Sequence, residues 1–417
     1  MILVNAAKPP LGGGRHRQRH FCILSLLVAA WAGLYASAAY AEPGAPPRLQ
    51  WVAPVTRTYY IAADEVEWDY APSGSNLIEG RPFNDDEKAF MEPGPTVIGR
   101  KVKKALYREY TDSTFKTLKP RPPEWEHLGF LGPLIRAQVG DIIRVVFRNN
   151  THFPATMHPH GVLYQKSSEG ALYSDGANAA DKPGDAVPPG GTFTYTWEVP
   201  ERAGPSAHEG SSVLWMYHSH VDELRDVESG LIGPIIITKR GMARADGSPI
   251  DVDREFVVGF MEIDENQSWF LQENVRAHAT SPEKVQDVMG PFFLRWARST
   301  PLNYDKYFRE TINGFSYGNG PVMTMKTGER VRWYLMSGTG FEIHAVHWHG
   351  NVVMIDHMRT DVTPVLTMGM AIADMVPDNP GKWLIHCHVS YHMRMGMQAF
   401  YVVEPPSLAA KRLPKKR

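Results

Sequence analysis

The chain has 417 residues, with 44 lysines and arginines against 45 aspartates and glutamates and a net charge of −1. That balance gives no electrostatic case for binding nucleic acid or an acidic membrane surface. Its length suits two to three domains rather than one.

In chain order, the first feature is an export signal over residues 1–41. It has basic residues Arg15, Arg17 and Arg19, the apolar run Phe21 to Leu34, and the small-residue cleavage site Ala39-Tyr40-Ala41. The apolar run is too short to span a bilayer comfortably, and no later stretch approaches about 20 uninterrupted apolar residues, so the mature chain is expected to have no membrane span. The n-region lacks the paired arginines of the twin-arginine route. Periplasmic or extracellular residence follows, with a mature chain starting near Glu42. Residues 64–95, rich in Asp, Glu, Pro and Gly, read as a long surface loop.

Short β-branched and aromatic runs then alternate with Gly, Pro and Asn, as in Asp141 to Phe147, Thr192 to Val199, Ile235 to Thr238 and Glu329 to Leu335. The pattern predicts an all-β protein of two tandem Greek-key barrels, over residues 51–240 and 250–405, joined through Lys239 to Asp253. Asn313-Gly314 reads as a tight turn near the start of the second. Residues 406–417, ending Lys411-Arg412-Leu413-Pro414-Lys415-Lys416-Arg417, read as a solvated basic tail.

Four histidine motifs carry the chemistry. They are His158-Pro159-His160-Gly161, His218-Ser219-His220, His344-Ala345-Val346-His347-Trp348-His349-Gly350, and His386-Cys387-His388 with His392 and Met397 behind it. In a strand, successive side chains point to opposite faces, so Cys387 faces one way and His386 and His388 the other. A thiolate, imidazoles and a weak axial thioether make a blue-copper electron-transfer site. Cys387, His392 and Met397 supply three of its four ligands, and one imidazole of the His344 motif supplies the fourth. His158, His160, His218, His220, His347, His349, His386 and His388 leave eight imidazoles, enough for three further coppers. A lone His-x-His is more often a hydrogen-bonded pair than a metal site. Ten of the 17 histidines fall inside these motifs, and no structural role asks for that concentration. Met397 by itself would be core filler, but its place five residues after His392 makes it a ligand candidate.

The cysteines agree. Cys22 lies in the signal, so Cys387 would be the only thiol of the mature chain and no disulfide could form within it. A copper–thiolate bond occupies a thiol that an oxidising compartment would otherwise attack.

These motifs resemble those of the multicopper oxidases. The strings Tyr59-Tyr60-Ile61-Ala62-Ala63-Asp64-Glu65-Val66-Glu67-Trp68-Asp69-Tyr70, Lys104-Ala105-Leu106-Tyr107, Leu128-Gly129-Phe130-Leu131-Gly132-Pro133 and Ser229-Gly230-Leu231-Ile232-Gly233-Pro234 resemble one two-domain module of the ceruloplasmin and hephaestin group. The resemblance runs from about Trp51 to Glu404 and stops short at the disulfides those relatives carry. It implies two cupredoxin barrels and about four coppers per chain. His344, Cys387, His392 and Met397 would hold type 1 copper, and His158 and His347 type 2. His160, His218, His220, His349, His386 and His388 would hold the type 3 pair. A one-electron donor would reduce the type 1 copper, and four electrons would pass along the strand of Cys387 to reduce dioxygen to two waters. Met397 implies a moderate potential.

The first barrel has Ser219 where the second has Cys387, and Leu224 where a histidine ligand would follow. It therefore lacks a type 1 site, which separates the chain from two-domain copper nitrite reductases. Asp175, before Gly176, falls where the family places a proton-donating carboxylate; its other reading is an Asp-Gly surface turn. The calcium loop of ceruloplasmin keeps Asp185 but has Gly184 where a second Asp is wanted.

The oxidised substrate stays open between three classes. Asp305 and Glu310 stand at positions where relatives bind Fe(II), whereas Tyr391 and Gly340 replace acids there. Met354, Met358, Met368, Met370, Met375, Met393 and Met395 surround the type 1 motifs and would suit Cu(I), Met393 and Met395 above all. Phenols are the third class. Outside oxidase chemistry stand a copper-storage protein and a redox-silent module like the A domains of clotting cofactors; the complete ligand set argues against both. Three-domain relatives bring their first and last domains together across a middle one, and a two-domain chain has no such spacer. A homotrimer with its clusters between subunits is expected.

Overall fold

A computed structural model gives the fold of residues 53–178, 181–285, 304–340 and 343–406. The expected export signal, with Cys22, and the tail from residue 407 lie outside the described residues. Thr56–Asp69 pairs parallel with Ile142–Asn149 and antiparallel with Lys101–Tyr110. Thr192–Glu198 and Leu163–Tyr164 complete this five-stranded sheet. A second sheet, Ile135–Gln138, Ile232–Thr238, Ser212–His218 and His158–Pro159, packs on it. Ile61, Val145, Phe147 and Trp197 from the first meet Tyr217, Ile235 and Ile237 from the second in one buried cluster.

The rest of the chain repeats this plan. Arg254–Asp264 again pairs parallel with its second neighbour, Val331–Ser337, in a six-stranded sheet that also holds Phe308–Ile312 and Met370–Met375. Opposite lies the order Met323–Lys326, Gln398–Glu404, Gly381–Cys387, His344–Trp348, Val362–Val365. Phe256, Trp333, Leu335, Trp348, Ile385 and Tyr401 fill the space between. A parallel pair cannot be closed by a hairpin, so the chain must cross between sheets. The fold is all-β, two tandem Greek-key cupredoxin barrels, as expected from sequence.

One strand explains how the barrels join. Along Ser212–His218, Val213 and Tyr217 face the first core while Leu214 and Met216 face a second apolar cluster shared with Val257, Met261, Tyr334 and Met336. A strand buried on both faces must be apolar without alternation. Asn313, at φ 52°, fixes the same junction: its amide donates to the His127 and Val257 carbonyl oxygens at 2.6 and 2.9 Å, and its Oδ1 accepts from the Gly259 N–H at 2.6 Å. Gly314, at φ 80°, has no room for a side chain, since a Cβ would lie 1.8 Å from the Phe130 ring. The Asn-Gly turn is thus also an interdomain clasp.

The structure corrects the loop expected over residues 64–95. Asp64 to Asp69 complete the first strand, and Asp85–Met91 is a helix. Its capping box was present in the sequence: Asn84 accepts from the Glu87 N–H, and the Glu87 carboxylate accepts from the Asn84 N–H. Among the described residues no helix is long and apolar enough to cross a membrane.

His127 gives the junction a pH dependence. Its Nδ1–H donates to the Glu124 carbonyl at 2.9 Å and its Nε2 accepts from the Val257 N–H at 3.2 Å, which requires the neutral ring. Burial pushes its pKa down from 6.5 to about 4, against a smaller opposing pull from the Glu124 carbonyl. The folded pKa lies below the unfolded one. The stabilisation is therefore whole above pH 6.5 and lost as pH falls towards 4, to the extent of roughly 3 kcal/mol. In copper-free protein, His127→Gln should flatten the pH dependence of the urea midpoint across that window, and an unchanged slope would contradict the account.

Candidate metal centres

Gly381–Cys387 runs antiparallel between His344–Trp348 and Gln398–Glu404, with Val346 opposite Cys387 and His347 opposite His386. The alternation of side chains divides this pair of strands into two metal-ready faces. Inward, Cys387 is fully buried, with Sγ 3.9 Å from His344 Nδ1 and 3.5 Å from His392 Nδ1. The Ala345 N–H also points at the sulfur, at 3.4 Å. His392 arrives on the helical turn Ser390–Arg394. The chain then returns through the buried Met397, whose N–H donates to the His392 carbonyl and whose carbonyl accepts from the Cys387 N–H. Burial drives His344 down to about 3, so the ring stands neutral, as a ligand must.

Outward, His347, His349, His386 and His388 gather with ring centroids 4.7 to 5.4 Å apart. The His386 Nε2 lies 3.0 Å from His349 Nε2 and 3.2 Å from His347 Nδ1, while its Nδ1–H donates to the Cys387 carbonyl at 2.8 Å. Burial lowers its pKa to about 4.

The first barrel repeats the outward face alone. His158, His160, His218 and His220 sit with centroids 5.2 to 5.6 Å apart. His160 Nε2 and His218 Nε2 are 3.0 Å apart, and His218 Nδ1–H donates to the Ser219 carbonyl at 3.0 Å. Burial first, then neighbouring imidazoles, lowers His160 to about 4; burial lowers His218 to about 3. The glycine ending each His-x-His-Gly explains itself. A Cβ on Gly161 would lie 2.2 Å from the Trp215 indole, and one on Gly350 2.6 Å from that of Trp383. Each indole, three residues before a cluster histidine, packs under the turn.

Inward, the first barrel has a carboxylate where the second has sulfur. Asp226, fully buried, accepts from the Ser219 hydroxyl at 2.6 Å, the Val221 and Asp222 N–H groups at 3.0 and 3.2 Å, and the Trp269 indole at 2.8 Å. Burial pushes its pKa up, and these donors pull it down. Ser219 therefore holds the loop of His218 and His220 through Asp226 rather than through a metal.

The other candidates fall out differently. Glu310 is buried and stands directly across the antiparallel ladder from Glu262. Both carboxylates and His392 offer ligand atoms within 4.8 Å of one another, with Glu262 Oε2 3.8 Å from His392 Nε2. Glu262 was missed in the sequence; its signal was an acid inside the apolar run Val257 to Ile263. Beside it, Gly340 leaves room: a Cβ there would lie 3.0 Å from the Glu262 Cβ. Asp305 lies in the turn Tyr304–Tyr307, and its side chain is outside the described residues. Tyr391 is half exposed next to His392, and Met393 and Met395 are partly buried on the same turn. Met354 and Met358 are exposed on a hairpin, whereas Met375 is core. Asp175 lies against two ammonium groups, Lys166 at 2.8 Å and Lys182 at 2.9 Å, which hold its carboxyl well below the usual range. Lys182 also meets Asp185 at 3.1 Å, and Gly184 has no space for an acid, its Cβ position being 2.6 Å from the Phe193 ring.

Two family models, both described as multicopper oxidase, match residues 128–241 and 293–407. Human ferroxidase HEPHL1 is 43% identical over 357 residues, 85% of this chain, and human hephaestin is 39% identical over 364, also 85%. The chain spans 30% of the length of either relative. A solved structure titled multicopper oxidase mgLAC superposes with a TM-score of 0.51 at 19% identity, covering 84% of this chain and 86% of that one, a likeness of fold.

Removing the Asp226 carboxylate strands a hydroxyl, an indole N–H and two backbone N–H groups. Asp226→Ala should lower the unfolding free energy of copper-free protein by about 3 kcal/mol in denaturant titration. A change under about 0.5 kcal/mol, the range of an ordinary surface substitution, would refute the assignment.

Proposed function

This chain belongs to the multicopper oxidases, and we propose that it is a metallo-oxidase that takes electrons singly from Fe(II) and delivers four to each dioxygen, with water as product. The observation that carries the substrate is the Glu262–Glu310 pair. The two side chains are buried, directly opposite each other across the ladder, and their carboxyl oxygens lie within 4.8 Å of each other and of a His392 ring nitrogen, so they converge as an oxygen donor set. Two carboxylates suit a hard divalent ion. The His392 ring lies between that pair and Cys387, with Nε2 towards Glu262 and Nδ1 towards the sulfur. An electron released at the carboxylates has one imidazole to cross.

The donor sets suit copper as the resident metal: a cysteine sulfur between two imidazoles inside the second barrel, and imidazoles with ring nitrogens about 3 Å apart in each quartet. We assign His344, Cys387, His392 and Met397 to type 1, His158 and His347 to type 2, and His160, His218, His220, His349, His386 and His388 to type 3, four coppers per chain. Bound copper supplies the one-electron couple and the centre for dioxygen reduction. The protein supplies the wire, since Cys387 is covalently continuous with His386 and His388. The sequence offers Asp305, five residues before Glu310, as a further acid for iron.

The quartets lie in different barrels, and among the described residues no hydrogen bond or ring contact joins one to the other. One chain's first quartet meeting a neighbour's second, closed head-to-tail into a homotrimer, uses every half-site. Export to the periplasm or extracellular space fits the pattern from Arg15 to Ala41.

Oxygen uptake with Fe(II), Cu(I) and a phenol tests the reading. Glu262→Gln with Glu310→Gln should raise the KM for Fe(II) at least about tenfold while blue absorption persists. Slowed Cu(I) turnover in Met393→Leu with Met395→Leu, beside unchanged iron kinetics in the Glu variant, would move the assignment to cuprous oxidation. Faster turnover of the phenol than of either ion, with both variants silent, would defeat metal oxidation. No uptake with any reductant would leave a copper-storage protein.

A further inference from the structure

A line of alternating charges holds the first quartet from outside, and the proposed chemistry does not use it. His158 Nδ1–H donates to the Glu169 carbonyl at 2.8 Å, which leaves Nε2 facing the other rings. The Glu169 carboxylate is gripped by Lys166 and, at 2.9 Å, by the Tyr173 hydroxyl. From Lys166 the line runs to Asp175 at 2.8 Å, to Lys182 at 2.9 Å and to Asp185 at 3.1 Å. Side-chain exposure falls along it, from 40% at Lys166 to 14%, 7% and 2%. Its inner end is tied to the barrel. The Asp185 N–H donates to the Lys182 carbonyl at 3.1 Å, and the buried Tyr195 hydroxyl donates to the Gly184 carbonyl at 2.6 Å.

We propose that Asp175 and Lys182 are positioning residues for His158: they tether the Glu169 carbonyl to the barrel and so fix the ring's tautomer and rotation towards copper. A buried anchor matters here because His158 stands on a two-residue edge strand, which among the described residues pairs with Ser212–His218 alone and so holds the histidine by few backbone bonds. An outer partner of a liganding imidazole sets both the nitrogen presented and its direction. Asp175 stays ionised between its two ammonium groups, so its contribution is rigidity.

The inference rests on His158 as a copper ligand, and the experiment separates the two. Copper-loaded full-length protein is compared as wild type, Lys182→Met, Asp175→Asn, Lys182→Arg and His158→Ala, by the type 2 EPR signal, its survival against a chelator, the blue absorption and the melting temperature. Lys182→Met and Asp175→Asn should release type 2 copper about 10- to 100-fold more readily and shift its hyperfine splitting, with blue absorption unchanged. Lys182→Arg, which keeps the charge, should stay within about threefold of wild type. Wild-type retention and spectrum in Lys182→Met overturn the proposal. So does joint loss of type 2 and blue signals with a lowered melting temperature, which marks a folding role. Intact type 2 copper in His158→Ala removes the ligand assignment itself, and the positioning role with it.

Discussion

The chemistry of this chain depends on the two-residue period of one strand. Cys387 turns into the barrel core and the flanking histidines turn out of it, so a single peptide segment belongs to both donor sets. No helix could place adjacent residues on opposite faces at such short range, and no loop would hold them. A one-residue slip of register would put Cys387 outside and His386 into the core, which is why the strand is pinned on both sides, to His344–Trp348 and to Gln398–Glu404.

Comparison of the two barrels shows what the scaffold can do without a metal. Both use a glycine turn under an indole, and both fix the first histidine of the later motif, His218 or His386, through the carbonyl of the residue that follows it, Ser219 or Cys387. They part at the inward face. In the second barrel His344, His392 and sulfur meet there; in the first, Asp226 gathers four donors and reaches across to Trp269. One position thus joins a buried donor set with His344 and His392 in one barrel and gives mechanical attachment in the other. The Asp226 carboxyl can take the place of a metal because four donors converge on it and offset part of its desolvation.

Much of this was legible in the sequence because the features are local. His-x-His and His-Cys-His are strand patterns, and short apolar runs between Gly and Pro define barrels. What escaped was what needs the third dimension or competes with composition. Glu262 stands inside a core run and acquires meaning only opposite Glu310. The acidic helix Asp85–Met91 lies in a stretch whose Pro and Gly signal a loop more strongly than its capping box signals a helix. Asp175 offered two readings, proton donor or surface turn, and the structure sets it between two lysines, one of them, Lys182, seven residues on along the chain. The Asn313-Gly314 turn was readable as a turn, though not as the clasp between barrels, since its partners His127 and Val257 are distant in the chain.

The central claim is that each chain carries a complete electron-entry site and two halves of different oxygen-reducing clusters. Anomalous diffraction at the copper edge from copper-loaded crystals tests it directly. The account predicts one peak per chain beside Cys387, at a distance from any subunit boundary, and three peaks between the His158 to His220 quartet of one subunit and the His347 to His388 quartet of its neighbour. Three peaks held by both quartets of a single chain, or quartets each binding copper alone with no subunit opposite, would contradict it.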